Sequence, residues 1–153
     1  MQVEIRWMLR SDYPKVLDIE WRAYDDPWTE EDIASWLSKR NCIGLVAEAG
    51  GKVCGYVVYT LHKKRLEIVN IAVDPQHEGK GIGSKIIDRL KYKLTVSTNR
   101  TEIKIIVSEY NDGVQLFLRS CGFVASEIHR GYYDSGNSGY EFTFHRDWIG
   151  AVV

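Results

Sequence analysis

The chain is poor in the residues that build metal and disulfide frameworks. Its three cysteines, Cys42, Cys54 and Cys121, stand far apart with no CxxC pair. Neither a zinc site nor a disulfide scaffold follows from that spacing, so reduced, partly buried thiols in a cytoplasmic protein are expected. The four histidines, His62, His77, His129 and His145, are dispersed, and no metal is expected. No run of ~18 apolar residues is present to span a bilayer. Met1-Gln2-Val3-Glu4-Ile5-Arg6 lacks the basic and apolar segments of a signal peptide, so no membrane partner is expected either. An excess of positive charge is also missing, with 20 Lys+Arg against 21 Asp+Glu. That balance argues against direct nucleic-acid binding, and Lys63-Lys64-Arg65 is too short a run to change it. Internal repeats and low-complexity tracts are absent. The remainder is 44% hydrophobic and 27% charged over 153 residues, enough for one globular domain spanning 1–153 with a core and a cleft.

The hydrophobic period predicts the elements. Val3 to Leu9 alternates as a strand. Ser11 or Asp12 can cap a following helix with Pro14 in its first turn, and Leu17, Trp21 and Tyr24 give it an apolar face. Asp25-Asp26-Pro27 breaks that helix. Thr29 caps a second, with Glu30, Glu31 and Asp32 at its positive end and Ile33, Trp36 and Leu37 facing inward. The period then changes to two. Ile43–Glu48 and Lys52–Leu61 read as strands around an Ala49-Gly50-Gly51 turn, and Leu66–Val73 as a third. A helix with the stripe Ile82, Ile86, Leu90, Leu94 follows, then a strand over Thr101–Val107. A helix carrying Val114, Phe117, Leu118 and Cys121 stops at Gly122. Phe123–His129 and Tyr140–His145 close the chain as a strand pair, the last with one buried face. The order β-α-α-β-β-β-α-β-α-β-β predicts an α/β protein with a mixed central sheet and about four flanking helices.

The most informative stretch runs from Ile71 to Ser84. Gly79, Gly81 and Gly83 alternate just before the third helix. Glycine permits close approach and positive φ, and the backbone N–H groups and helix N-terminus then make a phosphate cradle. The Walker pattern fails here, because no Gly-Lys-Ser/Thr closes the loop. The dinucleotide fingerprint fails because the spacing is GxGxG.

Glu78-Gly79-Lys80-Gly81-Ile82-Gly83 resembles the acetyl-CoA signature [Q/R]-x-x-G-x-[G/A] of the GNAT acetyltransferase superfamily, and the element order resembles that fold along essentially the whole chain. The resemblance implies acetyl-CoA as co-substrate. It implies that Gly79, Lys80, Gly81, Ile82, Gly83 and Ser84 meet the coenzyme pyrophosphate, mainly through backbone N–H groups. Ile71, Ala72 and Val73 would run beside the pantetheine arm, and Asn111 would contact it. Glu78 departs from the family's Gln or Arg, placing a carboxylate near a pyrophosphate. Three further features resemble the bacterial ribosomal-protein N-terminal alanine acetyltransferases: Pro27-Trp28-Thr29-Glu30, the strand Glu67–Val73, and Tyr132-Tyr133. That likeness implies a protein N-terminus as acceptor. A small amine such as a polyamine or aminoglycoside is the alternative, with Asp25-Asp26 as its acidic patch. A non-catalytic acetyl-CoA-binding module is a third reading.

The chemistry requires a neutral amine to attack a thioester carbonyl. An α-amine lies about two pKa units below a lysine amine and is the easier acceptor. The family's catalytic Glu and Tyr positions are held here by Ile106 and Leu118, with Glu109 and Tyr110 out of register. Glu67 is therefore the candidate base, directly or through ordered water. Tyr132 is the candidate proton relay, and Trp28 and Tyr133 are candidate acceptor contacts. Monomer and homodimer both remain open.

Overall fold

The computed structural model describes residues 2–150; the ends of the expected domain, Met1 and residues 151–153, lie outside them. The elements are β1 (Val3–Trp7), α1 (Tyr13–Ala23), α2 (Glu30–Leu37), β2 (Cys42–Ala49), β3 (Lys52–Leu61), β4 (Arg65–Val73), α3 (Ile82–Val96), β5 (Glu102–Ser108), α4 (Asp112–Ser120), β6 (Val124–His129) and β7 (Gly139–His145). The expected order is reproduced throughout. The strands follow one another through the sheet as β1-β2-β3-β4-β5-β7-β6. The β4–β5 pair is parallel, because α3 carries the chain back between them, and the β1–β2, β2–β3, β5–β7 and β6–β7 pairs are antiparallel.

The chain packs as two compact units. One holds the chain up to Leu61 together with Val69–Arg89; the other holds His62–Ile68 and the chain from Leu90 on. In the first, β2 and β3 are joined by Gly50 and Gly51, both at positive φ, the backbone that a two-residue hairpin turn needs. A register shift between Ala47 and Glu48 leaves Cys54 as an extra residue on β3. Every β3 residue from Val53 to Thr60 is buried, as in a strand covered on both faces. On one face α1 and α2 bring Val16, Ile19 and Ile33 to Val46, Tyr56 and Val58. On the other, α3 comes so close that a Cβ on Gly55 would sit 3.2 Å from Ile82, Ile86 and the Ala72 carbonyl.

The second unit is built on β5, whose alternation buries Ile103, Ile105 and Val107. Phe142 and Phe144 of β7 and Leu118 of α4 are buried with them, and Phe123 packs on Phe144 at 5.6 Å between ring centroids. Gly122, at φ +91°, ends α4 as predicted.

Three local expectations need correction. Trp21 is 73% exposed, and the buried residues of α1 are Val16, Ile19 and Glu20, with the expected Leu17 and Tyr24 only partly buried against the core. Asp12 stands at the N-terminus of α1 but makes no side-chain cap bond to it. Its carboxylate turns back to the Leu9 N–H and Arg6, and the Arg6 guanidinium holds it below the usual carboxylate range. On β7, Thr143 is buried along with Phe142 and Phe144, so that strand does not have a single buried face. Thr29 does cap α2 as expected, accepting from the Asp32 N–H while the Asp32 carboxylate accepts from the Thr29 N–H.

Candidate active site

In the first unit the glycine loop is open and strained in the way glycine alone tolerates. Gly79 and Gly81 stand at φ +77° and +78°, and no atom lies within 4 Å of a Cβ built at either. Ile82 is buried and anchors the N-terminus of α3, while Lys80, Gly81 and Ser84 are exposed. Glu78 is exposed too. A backbone at positive φ, open on the side a Cβ would take and beside the first N–H groups of a 15-residue helix, is suited to an anionic group.

The turn before this loop is fixed by Asp74. Burial alone raises its pKa, but the Arg22 guanidinium at 2.8 and 3.1 Å, the Gln76 N–H and Lys15 outweigh that and hold the carboxyl at about 2. The Asp74 N–H donates to the Cys54 carbonyl at the bulge of β3, so loop, strand and α1 are tied at one residue.

Upstream, β4 pairs with β5 only from Arg65 to Ile68, although β4 continues to Val73. The Ala72 carbonyl points toward β3, where it approaches Gly55. Alternation along a strand therefore turns the Ile71 carbonyl the other way. That carbonyl accepts from the Tyr24 hydroxyl. One turn earlier on α1 lies Glu20, 2% exposed. Its Oε1 accepts from the Tyr56 hydroxyl and from Asn70 Nδ2 at 2.5 Å, and its Oε2 accepts from the Trp28 N–H at 2.9 Å. Burial, with the Glu20 carboxylate behind it, pushes the Tyr56 phenol far above its ordinary value. Trp28 precedes α2 instead of lying on it, and its ring stacks on Trp36 at 6.2 Å between centroids.

Of the expected site residues, Trp28, Ile71–Val73 and Gly79–Ser84 thus belong to the first unit, and Trp28 is linked to β4 through Glu20. Glu67, Asn111, Tyr132 and Tyr133 belong to the second. Glu67 lies on β4 opposite Lys104 of β5, with its carboxylate on Arg65 Nε at 2.6 Å and His62 Nε2 at 3.3 Å. Asn111 caps α4, its Oδ1 accepting from the Val114 N–H at 3.2 Å. Tyr132 and Tyr133 meet edge to face at 4.9 Å, with His129 5.8 Å from Tyr132. Tyr132 is 52% exposed, whereas burial, with Tyr132 beside it, raises the Tyr133 phenol. Gly139 leaves room for this pair: a Cβ there would stand 3.2 Å from the Tyr132 ring and 2.5 Å from Ile106. Ile106 thus flanks Gly139 as packing, and Leu118 is fully buried in α4. Glu109 holds the Ser138 N–H at 2.5 Å and so secures the turn beside them. Glu127, His129 and Glu141 have ligand atoms within 4.8 Å of one another, but Lys104 Nζ already stands 3.1 Å from Glu141 and supplies the positive charge.

Sequence reasoning missed Glu20, Tyr24, Tyr56 and Asn70. A signal was present, since Glu20 follows Val16 and Ile19 at helical spacing and so falls on the inward face.

Comparison with known proteins agrees with the fold. Residues 13–123 match the acetyltransferase (GNAT) family model. The [ribosomal protein bS18]-alanine N-acetyltransferase of Escherichia coli K12 is 28% identical over 123 residues, which is 80% of this chain and 82% of that protein. The crystal structure of the E. coli ribosomal-protein-S18-alanine N-acetyltransferase superposes with TM-score 0.83 at 23% identity, covering 94% of both chains. Ard1 from Thermoplasma volcanium gives 0.85 at 21% identity, covering 95% of this chain and 98% of that one. The spermidine/spermine N-acetyltransferase SpeG from Vibrio cholerae gives 0.76 at 19%, covering 97% and 95%. With the mixed seven-stranded sheet, the four helices and the glycine loop before α3 matched over this length, the chain belongs to the GNAT family of acetyl-CoA-using N-acetyltransferases.

Proposed function

We propose that the protein transfers an acetyl group from acetyl-CoA to the α-amine of a protein N-terminus, in the manner of the alanine acetyltransferase of the bacterial ribosome. The observation that carries this reading is the match to that E. coli enzyme, 28% identical over four-fifths of the chain. The Pro27-Trp28-Thr29-Glu30 element, which resembles one in that family, supports it, with a half-buried tryptophan held at a turn. Bound coenzyme supplies the thioester that is cleaved. Gly79 to Ser84 would hold its pyrophosphate on backbone N–H groups, the edge of β4 at Ile71–Val73 would run beside its arm, and Asn111 would meet that arm. Trp28 and Tyr133 would receive the acceptor.

The acceptor nitrogen attacks the thioester carbonyl, the C–N bond forms, the C–S bond breaks, and the ammonium proton is lost. Glu67, directly or through an ordered water, takes that proton, and Tyr132 relays it. With Leu118 at the family's tyrosine position, the thiolate leaves without a dedicated acid; a thiol pKa near 8.5 makes it an adequate leaving group. The two exposed aspartates Asp25 and Asp26, and the likeness of fold to SpeG, favour a polyamine as the second reading.

The test is coenzyme A release with two matched peptides. One has a free N-terminal alanine and no lysine; the other has a blocked N-terminus and one lysine. Release with the first alone is the expected result. Release with neither, together with turnover of spermidine, replaces the N-terminal reading by the polyamine one.

A further inference from the structure

We infer that Glu20 is a positioning residue for the acceptor: its carboxylate fixes the Pro27–Trp28 turn against β3 and β4, so acceptor binding depends on it while coenzyme binding does not. The inference deepens the proposed function and rests on Trp28 meeting the acceptor.

Three donors from three places converge on this one side chain. They are the Tyr56 hydroxyl from β3, the Asn70 amide from β4 and the Trp28 N–H from the turn after α1. All three are neutral, and among the described residues no lysine or arginine hydrogen-bonds or ion-pairs with the carboxylate. Burying a carboxylate on neutral donors is a poor way to gain stability, since an apolar residue would avoid the desolvation. What the arrangement supplies is direction. The Trp28 N–H lies outside α2, whose cap is Thr29, and it is Glu20 that holds it. The Trp28 ring is held separately by stacking on Trp36. The turn is thus pinned at its backbone by α1 and at its side chain by α2. The same α1 face reaches the next residue of β4, where Tyr24 donates to the Ile71 carbonyl. Two successive turns of one helix therefore hold Asn70, Ile71 and Trp28 in a single frame.

The chemistry of an amide distinguishes this role from simple packing. Glu20→Gln keeps the shape but replaces one oxygen by an NH2 group. The remaining oxygen can keep the two donors on the Oε1 side, and the NH2 group then faces the Trp28 N–H, donor to donor. In that orientation E20Q releases the turn selectively. Tyr56→Phe removes a donor from the same carboxylate but leaves the tie to Trp28 intact.

The experiment compares wild type, E20Q and Y56F, measuring KM and kcat for the N-terminal alanine peptide, acetyl-CoA affinity and Tm. E20Q is expected to raise the peptide KM by about tenfold, the loss of one charge-assisted hydrogen bond, with kcat and acetyl-CoA affinity little changed. Y56F is expected to lower Tm without that rise. Equal changes in both variants, or a loss of acetyl-CoA affinity in E20Q, would reduce Glu20 to a structural residue and overturn the inference. Should E20Q not fold, amide exchange in the wild type decides: slow exchange at the Trp28 N–H supports the tie, and free exchange overturns it. If the wild type turns over spermidine and not the peptide, the N-terminal reading has failed on its own, and the same KM comparison with spermidine still tests Glu20.

Discussion

Glu67 and Glu20 are two carboxylates with opposite surroundings. Glu67 is about one-third exposed and sits between a guanidinium and an imidazole, whereas Glu20 is buried on neutral donors. An accessible carboxylate can exchange a proton with water, and a buried, triply bonded one can hold a backbone still. This difference suits Glu67 to the proton transfer proposed for it and Glu20 to holding geometry. Glu67→Gln is expected to lower kcat/KM by roughly a hundredfold near neutral pH, with recovery toward about pH 9 as more of the acceptor amine becomes neutral unaided. A flat, wild-type profile from about pH 6 to about pH 9 would remove Glu67 from the chemistry. At this scale the sequence was legible where a residue type announces its backbone, as at Gly50, Gly51 and Gly122. At Glu20 helical spacing signals the inward face, but the partners stay hidden, because Tyr56 and Asn70 are thirty-six and fifty positions away and only the folded strands bring them together.

At the scale of elements, strands and helices followed from period and punctuation almost throughout, since alternation, caps and glycine stops are local properties of the chain. The face of α1 did so only in part. Of the expected stripe, Leu17 and Tyr24 do pack against the core, but Trp21 faces solvent, and the fully buried positions are Val16, Ile19 and Glu20, the last of which accepts from the Tyr56 hydroxyl. The glycine loop was legible in the same local sense, and its two positive φ angles make a direct prediction. Gly81→Ala forces a Cβ into the left-handed region at a cost of about 1–3 kcal/mol, although there is open space around it. The expected outcome is a modest fall in Tm and loss of most of the thermal shift that acetyl-CoA gives the wild type. An undiminished shift would separate the loop from coenzyme binding.

For the whole molecule, acid is the condition to which the ion pairs respond. Asp12, Asp74 and Glu141 all have carboxyls held below their ordinary values. Burial works the other way at all three and is outweighed, by Arg6 and the Leu9 N–H at Asp12, by Arg22, the Gln76 N–H and Lys15 at Asp74, and by Lys104 and His129 at Glu141. Each carboxylate therefore stabilises the fold above its unfolded pKa, near 3.8 for Asp and 4.5 for Glu, and loses that contribution as pH falls through the folded value, about 2 for Asp74. Stability measured by denaturant should be level above about pH 5 and drop steeply between about pH 4 and about pH 2. In Asp74→Asn the drop should be shallower and start from a lower plateau; an unchanged curve would deny Asp74 its role. Another consequence comes from the cysteines. Cys54 and Cys121 are buried and Cys42 is half-buried, with burial pushing the Cys42 thiol up to about 11 and raising that of Cys54 as well. Thiolate is the form that reacts, so a disulfide dye added to a working assay should colour with the sulfur that turnover liberates, against a nearly silent background from the folded protein.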